Sequence, residues 1–220
     1  NQIFDIKKLA KFYAIADVND AFHGLFWNNQ RFYYNPIIQK LEPIAYDGFS
    51  YAQNWHKRPF YGYGMYNPKN KRLDSDNVFY NQLFIDSTFM SNYIKELEYY
   101  SDPKYINSLF NDFDSQIALI EELIKDEFEN YNFDRSKIKE KSNKIASLIY
   151  PFDNISIKAF QNGNNSLKVF NHHKLPLVVI GEGNSVNKFK KYKKEVLLPV
   201  QINWTEPYEF TELKLSESNS

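Results

Sequence analysis

Between Asp17 and Phe49 the chain reads DVNDAFHGLFWNNQRFYYNPIIQKLEPIAYDGF. Two acids (Asp17, Asp20), an imidazole (His23) and two amides (Asn28, Asn29) come just before an expected β-hairpin. A third acid, Asp47, follows it in Tyr46-Asp47-Gly48. Carboxylate and amide oxygens are hard ligands that suit a divalent ion carried by phosphates. An acid or imidazole on the preceding loop can orient or deprotonate a hydroxyl near neutral pH. Each residue also has a plainer use. Asp-Gly commonly closes a turn, Asp20 can end a helix, His23 can pack beside Phe22 and Trp27, and paired asparagines can open a hairpin. A metal-dependent hydrolase built on Asp20, His23 and Asp47 is disfavoured, because one histidine and two acids specify no known metal geometry.

These residues need rigid neighbours. Asp5 suits an N-cap, and Ile6, Leu9, Tyr13 and Ala16 recur on one helical face, which predicts a helix ending at about Asp17–Asp20. Residues 31–34 and 41–46 read as two strands joined at Asn35-Pro36, with Pro43 marking an edge or bulge. From Ser50 to Asp76, Trp55, His56, Tyr61, Tyr63 and Tyr66 alternate with glycine and proline, which predicts a long ordered loop. Helices are then expected over 78–84, over 87–99 behind an Asp86 cap, from Pro103 through Phe113, over 117–128, and from Asp134 to Ile149. Beyond Tyr150-Pro151 the pattern becomes short runs of period two: 155–160, 166–170, 175–180, 195–201 and 210–215. The expected fold is therefore α+β, a mainly helical domain over 1–150 followed by a small antiparallel β domain over 151–220.

Equal numbers of basic and acidic residues (27 each) argue against a global field for nucleic acid or anionic membrane. The run Lys188 to Lys194, KFKKYKK, reads as a solvated strand end or loop. Phe 19 and Tyr 17 predict a core built from rings. With no cysteine, disulfides, thiolate chemistry and cysteine–zinc sites are excluded. No apolar run approaches the roughly 18 residues of a membrane span. Gly181-Glu182-Gly183 lacks phosphate-loop spacing and is expected to be a turn. His172-His173 makes a poor chelating pair, since neighbours on a strand face opposite ways.

In NNQRFYYNP and KLEPIAYDG the chain resembles the spore-coat protein H-like (CotH) kinase family, an atypical branch of the protein-kinase-like fold. The resemblance covers about residues 1–150, with its strongest motifs between Asp17 and Gly48. It implies a kinase-like C-terminal lobe with a catalytic hairpin, and phosphoryl transfer from ATP, with Mg²⁺ or Mn²⁺, to serine or threonine of a protein acceptor. Asn29 and Asp47 match the metal-binding positions. Asp20 and His23 stand in the catalytic loop, where the choice among Asp17, Asp20 and His23 stays open. The glycine-rich loop and phosphate-gripping lysine are expected before Asn1, the chain being read as an excerpt, and a bacterial surface, secreted or coat-associated location is implied. Two departures stand out. The loop acid lies farther from the asparagine than in family members, and relatives carry Trp-Asp-x-Asp where this chain has Tyr46-Asp47-Gly48-Phe49. A non-catalytic surface or coat module with a degenerate kinase-like lobe is the alternative.

Overall fold

The computed structural model describes residues 3–48, 60, 75–149, 157–173, 175–185, 187–199 and 210–215. The chain divides into two compact units, Asn1–Tyr150 and Pro151–Ser220. The first is mainly helical and the second is built of antiparallel strands, an α+β fold. Most of the aromatic stretch after Ser50, including Trp55, His56, Tyr61, Tyr63 and Tyr66, lies outside the described residues.

Helix α1 (Ile6–Val18) starts where the Asp5 carboxylate accepts the Lys8 N–H at 3.1 Å. Strands β1 (Arg31–Asn35) and β2 (Lys40–Ile44) pair antiparallel, with Phe32 opposite Pro43. The Asn35 side chain accepts the Ile37 N–H at 3.0 Å and so closes the expected turn. Residues 3–5 run beside β2: the Asp5 N–H donates to Leu41 O at 2.9 Å, and the Leu41 N–H to Ile3 O at 2.8 Å. The Lys8–Glu42 ion pair at 2.6 Å ties α1 to the ribbon.

Helices α2 (Ser75–Ile85) and α3 (Ser87–Ser101) follow; Asp86 caps α3 by accepting the Phe89 N–H at 2.8 Å. Leu9, Tyr13 and Ala14 of α1 meet a buried ring cluster here. Tyr13 lies edge-on to Tyr80, Phe84 and Phe89, and Phe89 stacks on Tyr93 with planes 9° apart. Rings thus fill this core, as the composition implies.

The two helices expected over 103–113 and 117–128 are one, α4 (Pro103–Lys125). Ile106, Phe110, Phe113, Ile117, Ile120 and Ile124 recur at alternating spacings of four and three, so the apolar stripe keeps phase through the polar Asn111–Ser115. Helix α5 (Arg135–Ile149) starts at Asp134, whose carboxylate accepts the Ser136 N–H at 3.0 Å. Ile145 of α5 is fully buried.

The second unit holds a three-stranded sheet, β3 (Ile157–Gln161), β4 (Ser166–Asn171) and β7 (Thr211–Lys214), in the order β3-β4-β7. A separate two-stranded sheet pairs β5 (Leu177–Ser185) with β6 (Lys188–Leu198). Val169, Leu198 and Leu213 form their core. Buried Asn171 joins the sheets by donating to Leu175 O at 2.9 Å and Leu198 O at 3.1 Å. One expectation changes: Gly181-Glu182-Gly183 is no turn but part of β5. KFKKYKK opens strand β6 with its lysines exposed, a solvated strand end. A Cβ on Gly181 would come within 2.4 Å of Lys190 O, so these glycines let a bulged hairpin close.

Candidate functional site

The site grows out of the C-terminus of α1. The Asp20 N–H donates to Asp17 O at 3.3 Å, and the Ala21 N–H to Ala16 O at 2.8 Å. This is the paired pattern that ends a helix with a left-handed residue, a place where glycine is usual. Asp20 takes it with φ of 56°. Its carboxylate explains the exception, since Oδ1 receives the Lys141 ammonium of α5 at 3.0 Å. Only 13% of the Asp20 side chain and 6% of the Lys141 side chain is exposed. Asp17 is buried one turn earlier and accepts the Tyr93 hydroxyl at 2.5 Å, clamping α1 to α3. Of the three loop candidates, then, Asp17 and Asp20 hold helices together.

The turn then tightens into a 3₁₀ segment, Phe22–Leu25, which carries His23. Gly24 lets that segment approach the ribbon's exit, because a Cβ there would stand 2.5 Å from Tyr46 O. The approach brings His23 and Asp47 together, Nδ1 to Oδ2 at 2.7 Å. Asp47 has φ of 51°, a second aspartate in the left-handed region. Asn29 enters from the other side, its amide nitrogen 3.1 Å from His23 Nδ1 and 3.1 Å from His23 O.

These contacts settle the protons. A carboxylate at 2.7 Å requires the hydrogen on Nδ1, so the Asn29 amide N–H donates to the His23 carbonyl and not to the ring. In a neutral His23 ring, Asp47 therefore selects the tautomer with its lone pair on Nε2. About a quarter of the His23 side chain and 31% of that of Asp47 reach solvent, so a ligand can meet both. Arg31 braces the rim: it donates to Asn28 O at 2.8 Å, and its guanidinium lies 5.1 Å from the centre of the Tyr46 ring. Asn28 is exposed.

Gln30, buried directly behind Asn29, places its amide nitrogen, with two hydrogens to donate, within reach of Tyr13 hydroxyl at 2.9 Å, Leu25 O at 2.9 Å and Tyr80 hydroxyl at 3.1 Å. Tyr80 also donates to Leu25 O. This knot seats the 22–29 loop on the aromatic core. Sequence reading missed Gln30 and Lys141; the signal for Gln30 was a long polar residue between a turn and an alternating strand.

His23, Asn29 and Asp47 thus converge, whereas Asp20 turns to Lys141. With Asp47 Oδ2 and the Asn29 nitrogen engaged, each side chain keeps an oxygen, Oδ1, as its hard donor. Two such donors suit Mg²⁺, which takes few protein ligands and fills its shell with water and phosphate oxygens. Among the described residues, no group of three or more histidine, aspartate or glutamate side chains is placed to hold a metal by itself. No protein-family model, curated protein or solved structure matches this chain.

Proposed function

We propose that the first unit carries the metal and acceptor side of a phosphoryl-transfer site, as the likeness of its motif words to the CotH kinase family implies. The supporting observation is that Asp47 and Asn29 both engage His23, the Asp47 carboxylate at Nδ1 (2.7 Å) and the Asn29 amide N–H at the His23 carbonyl (3.1 Å). Asn29 Oδ1 and Asp47 Oδ1 would hold Mg²⁺ or Mn²⁺. When bound, that ion offsets phosphate charge on ATP. His23 accepts the proton of a protein serine or threonine hydroxyl at Nε2 as the oxygen attacks the γ-phosphorus and ADP departs. Asp47 keeps the ring oriented and stabilises the imidazolium that results.

In kinases the glycine-rich loop and strand lysine of the N-terminal lobe grip the nucleotide. The isolated chain is accordingly expected to bind ATP weakly, and the test uses the full-length parent. Labelled ATP with Mg²⁺ or Mn²⁺ should mark protein serine or threonine, and Asp47→Ala should reduce the rate by about 10²-fold or more. Label transfer undiminished by Asp47→Ala would remove the basis of this reading. The alternative, a non-catalytic surface module, draws on a separate observation: Lys141 already claims the Asp20 carboxylate, and His23 that of Asp47. It is supported if the parent labels no acceptor at all.

A further inference from the structure

We propose that the β5–β6 ribbon binds single-stranded nucleic acid, with Phe189 as a platform for a base and the lysines of β6 as contacts to phosphates. The site lies wholly in the second unit, so it stands apart from the phosphoryl-transfer reading of the first. The chain is neutral overall, yet its charge is uneven. Between Leu177 and Leu198, five lysines (Lys188, Lys190, Lys191, Lys193 and Lys194) stand with two acids, Glu182 and Glu195. All five lysines are exposed. Among the described residues, none of the five is held in an ion pair. A positive excess of this kind attracts a polyanion, and the attraction is local rather than a field of the whole molecule.

Register sorts these charges between the two faces of the ribbon. Gly183 pairs with Phe189 and Gly181 with Lys191, which puts these four residues on one face. Glu182 pairs with Lys190 on the other face, where the Tyr192 hydroxyl donates to its carboxylate at 3.4 Å. In this stretch the glycine face therefore carries a ring and an ammonium group and no acid. A Cβ on Gly183 would come within 2.6 Å of Phe189 Cβ, and one on Gly181 within 2.8 Å of Phe189 Cδ2. The ring thus lies along bare backbone, and Phe189 remains 38% exposed. A ring braced from below and open above, beside ammonium groups, is how proteins stack unpaired bases while tracking their backbone. Phe189 and Lys191 stand about 7 Å apart along the strand, so a base on the ring leaves its phosphate within reach of a flexible lysine. Lys193 and Lys194 follow where the register shifts between Val179 and Gly181, and extend the positive edge.

The test titrates a fluorescein-labelled oligothymidylate of about twelve nucleotides with the full chain, read by anisotropy at low ionic strength. Saturable binding is expected, with a log–log salt slope of about −0.7 for each phosphate neutralised. Lys191→Gln combined with Lys193→Gln should weaken binding and flatten that slope by about 1.4. Phe189→Leu keeps the glycines covered but removes the ring; it should weaken binding about tenfold at unchanged slope, whereas Phe189→Tyr should preserve it. Loss of the hairpin itself would flatten the slope too, so the slope separates lost stacking from lost structure. A duplex of the same length should bind less tightly, because its bases are not free to stack. The proposal is overturned by absence of binding at about 100 μM chain, by indifference to Phe189→Leu, or by a salt slope that the lysine replacements leave unchanged. Equal or tighter binding of the duplex overturns it as well. So does binding to phosphatidylserine vesicles without binding to the oligonucleotide, which would make the ribbon a membrane contact.

Discussion

Asp20 shows how one residue can look catalytic by position and act structurally by geometry. A left-handed backbone costs a non-glycine residue on the order of 1 kcal/mol. The ion pair with Lys141, reaching from α1 to α5, gives that cost a return in tertiary structure. Removing one partner takes the ion pair away from a charge that stays buried, which is the expensive case. Lys141→Met should therefore lower the unfolding free energy by about 3 kcal/mol in urea titrations, and adding Asp20→Asn should restore much of it. A restoration of nothing would mean that the two side chains act separately. Tyr13 offers a pH test. Burial, reinforced by Tyr80, raises its phenol well above the ordinary value near 10. The folded chain thus holds this proton more tightly than the unfolded chain does. The stabilisation is complete below about pH 10 and is lost as pH rises from there through the raised folded-state value. Urea midpoints at about pH 8 and about pH 11 should show the decline, and Tyr13→Phe should make it shallower.

The decisive local feature among the elements is the crossing of the 3₁₀ segment against the ribbon's exit. Gly24 permits it, and neither a backbone carbonyl nor a rigid ribbon can yield to an added methyl group. Gly24→Ala should destabilise the first unit by about 1–3 kcal/mol and draw His23 away from Asp47. The histidine ring resonances in NMR spectra report that separation, and an unchanged His23 environment would contradict the account. Helix α4 carries a related lesson. A polar stretch at Asn111–Ser115 resembles a break, yet the apolar phase on either side agrees, and phase outweighs local propensity. Its second half leaves Leu119, Ile120 and Leu123 more than half exposed, whereas Ile106 and Phe110 in the first half are buried.

Each unit of the whole molecule closes its own core, rings in one and aliphatic side chains in the other. The change of sequence pattern at Pro151 coincides with the division between them. Leu198 is 1% exposed at the centre of the second core. Leu198→Ala should cost that unit about 2–5 kcal/mol. Hydrogen exchange should then accelerate in β4, β6 and β7 while α1 and α3 keep their protection; uniform loss would show a single cooperative unit instead. No helix among the described residues is long and apolar enough to cross a membrane.

Local physics made much of this legible in the sequence alone. Caps at Asp5, Asp86 and Asp134, a ring-rich core, the Asn35-Pro36 turn and the passage from helices to strands follow from spacing and side-chain chemistry within a few residues. The gathering of His23, Asn29 and Asp47 was legible as a set of types around a hairpin, but not as a hydrogen-bonded cluster. Tertiary structure alone decided that Asp20 meets Lys141, that Asp17 meets Tyr93, and that Gly181 and Gly183 sit inside a strand. Such partners lie far apart along the chain, and no periodicity records them. Only the packing of one helix on another, or of one strand against its neighbour, brings them within hydrogen-bond range.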